Sequence, residues 1–276
     1  MNSKEALKMG RTSFYALASK SLSVIAKRSG EPVKKLQVYY NDLYSKDVAN
    51  FKAYYKKRGV SANIVSVSDL KAKSLVTEQI FYSTSPTIKE IMNWFLVWSD
   101  NIVSERMARL AAKAAGNDFN EKGVAKTFDK VLRELGIDPS KIIIKDASGL
   151  SKQNKLTANI LSQLLYKIHS DPLFSQLIDG LPVGGQTGTL SKRYIEFAPQ
   201  AVGLVKAKTG TLSGTVSLAG YVQSGDREYA FTIIADQIGR TNAASERARK
   251  TLDIYLGKIA APLMLPVTET PTATIG

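Results

Sequence analysis

Two tripeptides concentrate the side chains that could move protons and hold a peptide: Ser99-Asp100-Asn101 and Lys208-Thr209-Gly210. Neither includes a histidine, and the sequence has only one, His169. A Ser-His-Asp triad needs a histidine as base. His169 falls in the last turn of an expected helix, where an imidazole suits the helix dipole, and that structural role is the simpler one. Acylation of a serine can proceed without histidine when a lysine or a second hydroxyl moves the protons. In such chemistry Ser99 is the hydroxyl that relays a proton to the departing amine. Asn101 offers an amide to hold a substrate backbone and the lysine that accompanies a nucleophile. Lys208 would meet a substrate carboxylate at a sheet edge, with the Thr209 hydroxyl beside it. Gly210 lets a substrate backbone lie against the strand, and the Thr211 backbone N–H is a candidate oxyanion donor. Each tripeptide alone is weak evidence, because short motifs recur by chance and a strand lysine is ordinarily just solvated.

Other chemistries find less support. There is no cysteine, so thiolate nucleophiles, disulfides and cysteine-ligated zinc are excluded. No His-Glu-x-x-His helix and no histidine–carboxylate cluster suggests a metal, and no cofactor is expected. The glycines at 184, 185 and 188 lack the Lys-Ser/Thr ending of a phosphate loop. The net charge of +14 is uneven: residues 1–80 hold 15 Lys and Arg against 6 Asp and Glu, a net +9. Such a front end can attract nucleic acid, acidic lipid or an anionic polymer, but it also serves simply as a soluble surface. No recognition helix or aromatic signature points to a specific nucleic-acid partner. The most apolar run, Ile91 to Trp98, is too short to span a membrane, and no signal-peptide core is apparent before Lys27.

The elements that must carry these residues are legible in outline. Residues 12–28 read as an amphipathic helix, Leu36–Tyr40 and Asn63–Val67 as short strands, and Val48–Arg58 as a helix between them. Thr87–Val97 is an apolar helix opening after Pro86, and Asn101–Ala115 is a second helix stopped by Gly116. Ser99-Asp100 therefore falls at a helix–helix junction. A third helix is expected over Gly123–Leu135, a β-branched strand over Lys141–Lys145, and a helix capped by Thr157 running to His169. Val202–Lys208, Val216–Val222 and Tyr229–Ala235 read as strands, the last two joined as a hairpin at Ser224-Gly225-Asp226. Alternation puts Lys206 and Lys208 on one face, with Lys208-Thr209-Gly210 at the end of its strand. Asn242–Ala260 closes the fold as a helix.

With these placements the two tripeptides resemble two of the three signatures shared by penicillin-binding proteins and class A β-lactamases. The wider pattern resembles the D-alanyl-D-alanine carboxypeptidase/endopeptidase family of low-molecular-mass penicillin-binding proteins, peptidase family S13. It includes Ser85-Pro86-Thr87, Glu105, Asp146-Ala147-Ser148-Gly149-Leu150-Ser151 and Leu181-Pro182-Val183. It continues through Gly188-Thr189-Leu190, Ala207-Lys208-Thr209-Gly210-Thr211-Leu212 and Ser217-Leu218-Ala219-Gly220-Tyr221. The resemblance implies an α/β (α+β) transpeptidase-like fold, an antiparallel sheet flanked by helices with a helical subdomain. It also implies cleavage of a terminal D-Ala from peptidoglycan stem peptides through an acyl-enzyme, acylation by β-lactam antibiotics, and work outside the cytoplasmic membrane. The chain taken literally, with no leader, would remain in the cytoplasm.

One part of the pattern is displaced. The family's nucleophile lies in a Ser-x-x-Lys motif, and the only match ahead of Ser99 is Ser68-Asp69-Leu70-Lys71, where the family has an accessory segment. The expectation is therefore a chain lacking the family's N-terminal part. Residues 1–80 would be a remnant of an accessory α/β region, 81–262 the transpeptidase-like domain, and 263–276 a disordered tail. The alternatives are a catalytically dead peptidoglycan-binding pseudoenzyme, a β-lactamase, and a basic nucleic-acid-binding protein.

Overall fold

The computed structural model describes residues 18–40, 45–75 and 86–261. The chain divides into two compact units, Met1–Ser85 and Pro86–Gly276. The start of the expected 12–28 helix, the boundary expected between 80 and 81, Ser85 of the quoted motif, and the 263–276 tail lie outside the described residues.

The first unit is a small βαβ arrangement. After helix α1 (residues 18–29), strand β1 (Lys35–Tyr40) pairs in parallel with β2 (Ser61–Ser66), Val38 lying opposite Ile64. Parallel neighbours need a crossover, and helix α2 (Ser45–Lys56) supplies it. Phe51 and Tyr55 of α2 bury against Ala18, Val60 and Ile64, the spacing of four residues keeping both rings on one face. Helix α3 (Asp69–Leu75) follows, and the Ser68 hydroxyl accepts from the Lys71 backbone N–H at its start, 3.3 Å away.

The second unit places three antiparallel strands in the order β3 (Val205–Leu212), β4 (Thr215–Ser224), β5 (Arg227–Ala235). Helices α4 (Ile88–Trp98), α5 (Asn101–Ala114), α6 (Glu121–Glu134), α7 (Ala158–His169) and the short α8 (Ser175–Asp179) precede the sheet, and α9 (Asn242–Ala260) follows it. The core lies between the sheet and α9: Val205, Ala207, Val216, Leu218 and Val222 bury against Leu252, Leu256 and Ala260. This α+β organisation matches the sequence expectation. His169 does end α7, and its Nε2 pairs with Glu228 Oε2 of β5 at 2.5 Å.

Two expectations require correction. Lys141–Lys145 is not a strand; a single bridge, Ile143 to Lys155, is what remains of it. Its β-branched run has no ladder to join, because Asn154 Oδ1 accepts the Lys145 N–H at 2.7 Å and turns the chain into the 146–151 loop. The strand read as Val202–Lys208 begins three residues later and runs four further. Lys208-Thr209-Gly210 therefore sits in mid-strand, where Gly210 faces Ser217 and Thr211 faces Val216. Residues 202–204 form a turn instead, with the Leu204 N–H bonded to the Ala201 carbonyl.

Candidate active site

The site starts with the end of one helix and the start of the next. Thr87 caps α4: its hydroxyl accepts the Glu90 N–H at 3.3 Å, and its own N–H donates to Glu90 Oε2 at 2.8 Å. Twelve residues on, Ser99 ends the helix in the left-handed conformation (φ 55°, ψ 50°), its N–H bonded to the Phe95 carbonyl. A non-glycine residue there is uncommon and costs energy that the surroundings must offset. Asp100 at once becomes the cap of α5, its carboxylate accepting the Val103 N–H at 2.8 Å. The tripeptide thus divides its labour: Ser99 turns its hydroxyl out of the corner, Asp100 holds the corner, and Asn101 opens α5 as an exposed residue.

Strand β3 supplies the opposite wall. Ala207 N–H donates to the Pro182 carbonyl and Val205 accepts from Gly184 N–H, so odd-numbered residues of β3 aim their backbone groups away from β4. Strand alternation then turns the Thr209 and Thr211 backbone groups to that same outer edge. Among the described residues the one bridge on this edge, Val183 to Lys206, stops short of them. Side chains alternate too. Val205 and Ala207 enter the α9 core, whereas Lys208 takes the other face and reaches Ser99.

That contact joins residues 109 apart in sequence: Lys208 Nζ lies 2.5 Å from Ser99 Oγ and 3.1 Å from the Thr209 carbonyl. Its ammonium thus lies on the hydroxyl of the other tripeptide. Burial pushes its pKa down to about 8. A lysine so tuned can both give and take a proton near neutrality, which a solvated lysine cannot.

Of the remaining expected residues, Asn101 follows Asp100 at the start of α5, and Thr209, Gly210 and Thr211 follow Lys208 along β3. Thr209 Oγ1 donates to Thr189 Oγ1 at 3.0 Å. Thr189 follows Gly188, in the turn packed under the last turn of α4. A Cβ added at Gly188 would lie 2.1 Å from the Val97 carbonyl oxygen, and its φ is +53°. Gly210 leaves room for the Ser217 hydroxyl, which a Cβ would approach to 2.3 Å. The Thr211 hydroxyl accepts from Arg249 Nη2 at 3.4 Å. Sequence reasoning gave no role to Thr189 or Arg249. Neither forms a local pattern with its partner, which lies 20 residues away for Thr189 and 38 for Arg249. Ser68, by contrast, is an exposed helix cap in the first unit.

A third segment braces α5. Glu105 Oε1 accepts the N–H groups of Ala147 and Ser148 at 2.8 and 2.9 Å. Asp146 folds the loop over itself, accepting from Gly149 N–H at 2.7 Å and Ser151 N–H at 2.6 Å. Burial raises the Asp146 pKa, but hydrogen bonds from Asn154, Gly149, Ser151 and Ser148 outweigh it and leave the carboxyl below its ordinary range. The stability it confers is therefore present above the unfolded carboxyl pKa of about 3.9 and lost as pH falls through the lower folded value. Asp146→Asn is expected to flatten this acid limb and to cost about 1–3 kcal/mol at pH 7. Urea unfolding of both proteins at pH 7 and pH 3 checks it; identical acid limbs would dismiss the carboxylate's part. Among the described residues no three of His, Asp and Glu gather to hold a metal ion, and no helix is long and apolar enough to cross a membrane.

The geometry can be set beside known proteins. The sequence pattern of the D-Ala-D-Ala carboxypeptidase 3 (S13) family matches residues 27–258. Carboxypeptidase DacB of Mycolicibacterium smegmatis is 40% identical over 149 residues, covering 52% of this chain and 32% of that protein. A D-alanyl-D-alanine carboxypeptidase of Actinomadura sp. (strain R39) is 34% identical over 183 residues, 64% of this chain and 33% of that one. The chain thus spans about a third of the length of these curated relatives. Among solved structures, penicillin binding protein 4 (dacB) from Haemophilus influenzae, complexed with a β-lactam, superposes with a TM-score of 0.62 at 22% identity. That match covers 76% of this chain and 49% of that one. A predatory endopeptidase of Bdellovibrio bacteriovorus in complex with an immunity protein gives 0.56 at 14% identity, over 93% and 76% of the two chains. At those identities the likeness establishes the fold, which is of the penicillin-binding, transpeptidase-like type expected from the sequence.

Proposed function

Because the chain belongs to the D-Ala-D-Ala carboxypeptidase 3 (S13) family, we propose that it serves a serine-type carboxypeptidase acting on peptidoglycan stem peptides ending in D-Ala-D-Ala. The reaction runs through an acyl-enzyme outside the cytoplasmic membrane, and β-lactams acylate the same site. The two tripeptides supply its proton relay and its substrate-holding wall. The observation that carries the reading is the Lys208–Ser99 contact, which joins the two tripeptides beside the open edge of β3.

The roles follow from the geometry. When the peptide bond breaks, the departing D-Ala amine needs one proton. Ser99 gives it from its hydroxyl and is reprotonated by Lys208, whose lowered pKa suits the transfer. The substrate backbone lies along Thr209–Thr211 as an added strand. In that pose the Thr211 N–H faces the carbonyl oxygen where negative charge develops, and Asn101 at the opposite rim holds the substrate amide. The Thr209 and Thr211 hydroxyls lie toward the leaving residue.

A second reading, a binding-only pseudoenzyme, is favoured by one observation: the Ser-x-x-Lys serine, Ser68, is spent as an exposed cap of α3. The two part on the intact mass of the folded chain after incubation with benzylpenicillin, with an acyl-D-Ala-D-Ala peptide titrated in parallel. A stoichiometric covalent adduct supports the enzyme, and peptide mapping locates its serine. Saturable peptide binding without an adduct supports the binding-only protein, and rapid hydrolysis of the penicillin would indicate a β-lactamase. Neither adduct nor binding would sink both readings.

A further inference from the structure

Thr189 stands where the helical and sheet walls of the site meet, in a segment fixed from both sides. Gly188 before it packs so closely on the last turn of α4 that an added Cβ would lie 2.7 Å from Val97 Cγ1. Leu190 after it is fully buried in the core between the sheet and α9. Within the segment, Val183 N–H donates to Thr187 Oγ1 at 2.8 Å. The Gly185 N–H bonds to the Leu190 carbonyl at 3.0 Å, and the Leu190 N–H to the Thr187 carbonyl at 3.2 Å. The same segment is tied to β3, Gly184 N–H donating to the Val205 carbonyl at 2.8 Å and Ala207 N–H to the Pro182 carbonyl at 2.9 Å. The backbone at 189 is therefore a fixed point between Val97, two residues before Ser99, and the strand that carries Lys208.

The Thr189 side chain itself is exposed, so core packing does not account for it. Its hydroxyl meets Thr209 Oγ1 at 3.0 Å, and that is the contact through which it can act. Thr209 has three staggered directions for its hydroxyl, and a tie to a fixed point selects one of them. Hydroxyls both donate and accept. Thr189 can thus hold the Thr209 oxygen in place as acceptor, then donate in its turn when the Thr209 proton swings to a bound peptide.

We infer that Thr189 is a positioning residue for the peptide site, acting through Thr209, whose hydroxyl it locks in one rotamer beside the β3 edge. Water competes for an exposed hydrogen bond, but the backbone beneath this one is already ordered, so little further freedom is lost in making it. Without the tie the Thr209 hydroxyl spreads over three wells, of which one presents it to a peptide lying along Thr209–Thr211. The spreading alone weakens binding about threefold, and a hydroxyl that settles in another well raises the loss to about tenfold. The inference rests on the peptide-binding reading above and deepens it by naming a residue outside both tripeptides that sets the geometry of one of them.

The test follows Thr209 directly, through the three-bond NMR couplings of its γ-methyl carbon, and titrates N-acetyl-D-Ala-D-Ala into the full chain by calorimetry. Wild type and Thr189→Ser, which keeps the hydroxyl, are expected to hold Thr209 in one rotamer and to bind the peptide within about twofold of each other. Thr189→Val, similar in shape but without the hydroxyl, should give averaged Thr209 couplings and bind about three- to tenfold more weakly. A purely structural role would lower the thermal midpoint and leave the couplings alone. A single Thr209 rotamer persisting in Thr189→Val overturns the inference and leaves peptide binding intact, as does an unchanged affinity once the rotamer is lost. If Thr189→Val loses its fold, Thr189→Ala makes the same comparison. No binding of the peptide to wild type removes both this role and the reading beneath it.

Discussion

Lys208→Met is expected to make the second unit more stable at neutral pH while removing its function. Lys208 is half-buried against Ser99, and loss of hydration takes its pKa to about 8. In the unfolded chain the same group titrates near 10.4. Between those values the unfolded state binds more protons than the folded one, so wild-type stability rises as pH climbs from 8 toward 10.5. Below pH 8 the full cost of the buried ammonium is present, on the order of 3 kcal/mol. Methionine fills similar space without a charge, so the variant should exceed wild type by up to that amount at pH 7, and the gap should close by pH 10.5. Denaturant unfolding of both proteins at pH 7, 9 and 10.5 measures it. Turnover of a D-Ala-D-Ala peptide, or its binding if this chain only binds, should fall by roughly a hundredfold or more, the scale of losing a positioned proton donor. A variant less stable than wild type at pH 7 would show that Lys208 is not strained where it lies.

The second large effect is expected at Gly188. An alanine there would put its Cβ 2.1 Å from the Val97 carbonyl oxygen and 2.7 Å from Val97 Cγ1, at a φ of +53°. Left-handed backbone alone costs an alanine about 1–2 kcal/mol, and the collision adds about 1–3 kcal/mol. Gly225→Ala separates the two terms, because Gly225 has a similar φ of +60° with nothing within 4 Å. Gly188→Ala should destabilise clearly more than Gly225→Ala in thermal unfolding. It should also push the last turn of α4 from the 188–190 turn, moving Ser99 off Lys208. The lowered lysine pKa would then drift back toward its ordinary value, which lysine side-chain NMR can follow. Equal costs at the two glycines would mean that the α4 contact is looser than it stands here.

What the sequence made legible was whatever its local patterns encode. The corner at Ser99-Asp100 could be read because Asp100 is a strong helix cap and Thr87 to Trp98 is apolar at helical spacing. Helix α9 was readable from Thr241 and its periodic apolar face. The 141–145 strand misled because β-branched residues favour extended backbone, yet a strand exists only where a partner ladder receives it. The extension of β3 through Gly210 was hidden for the opposite reason. A glycine reads as a strand end, but here the strand partner Ser217 occupies the space a side chain would take. The inward turn of Lys208, the Thr189 contact and Arg249 beside Thr211 depend on how distant elements pack. No spacing in the chain encodes them.

The corner between α4 and α5 has one more consequence. Consecutive residues end one helix and begin the next, with Ser99 as the last cap and Asp100 as the first. An α-helix turns about 100° per residue. Inserting or deleting a single residue here would therefore swing α5 by roughly that angle, taking Asn101 and the Glu105 brace with it. The connection at 116–120 can absorb changes of length, since it is a loop between helices that takes no part in the Glu105 brace. Drift in chain length should thus accumulate in that loop and stop at the Ser99–Asp100 junction, which acts as a fixed ruler for the site.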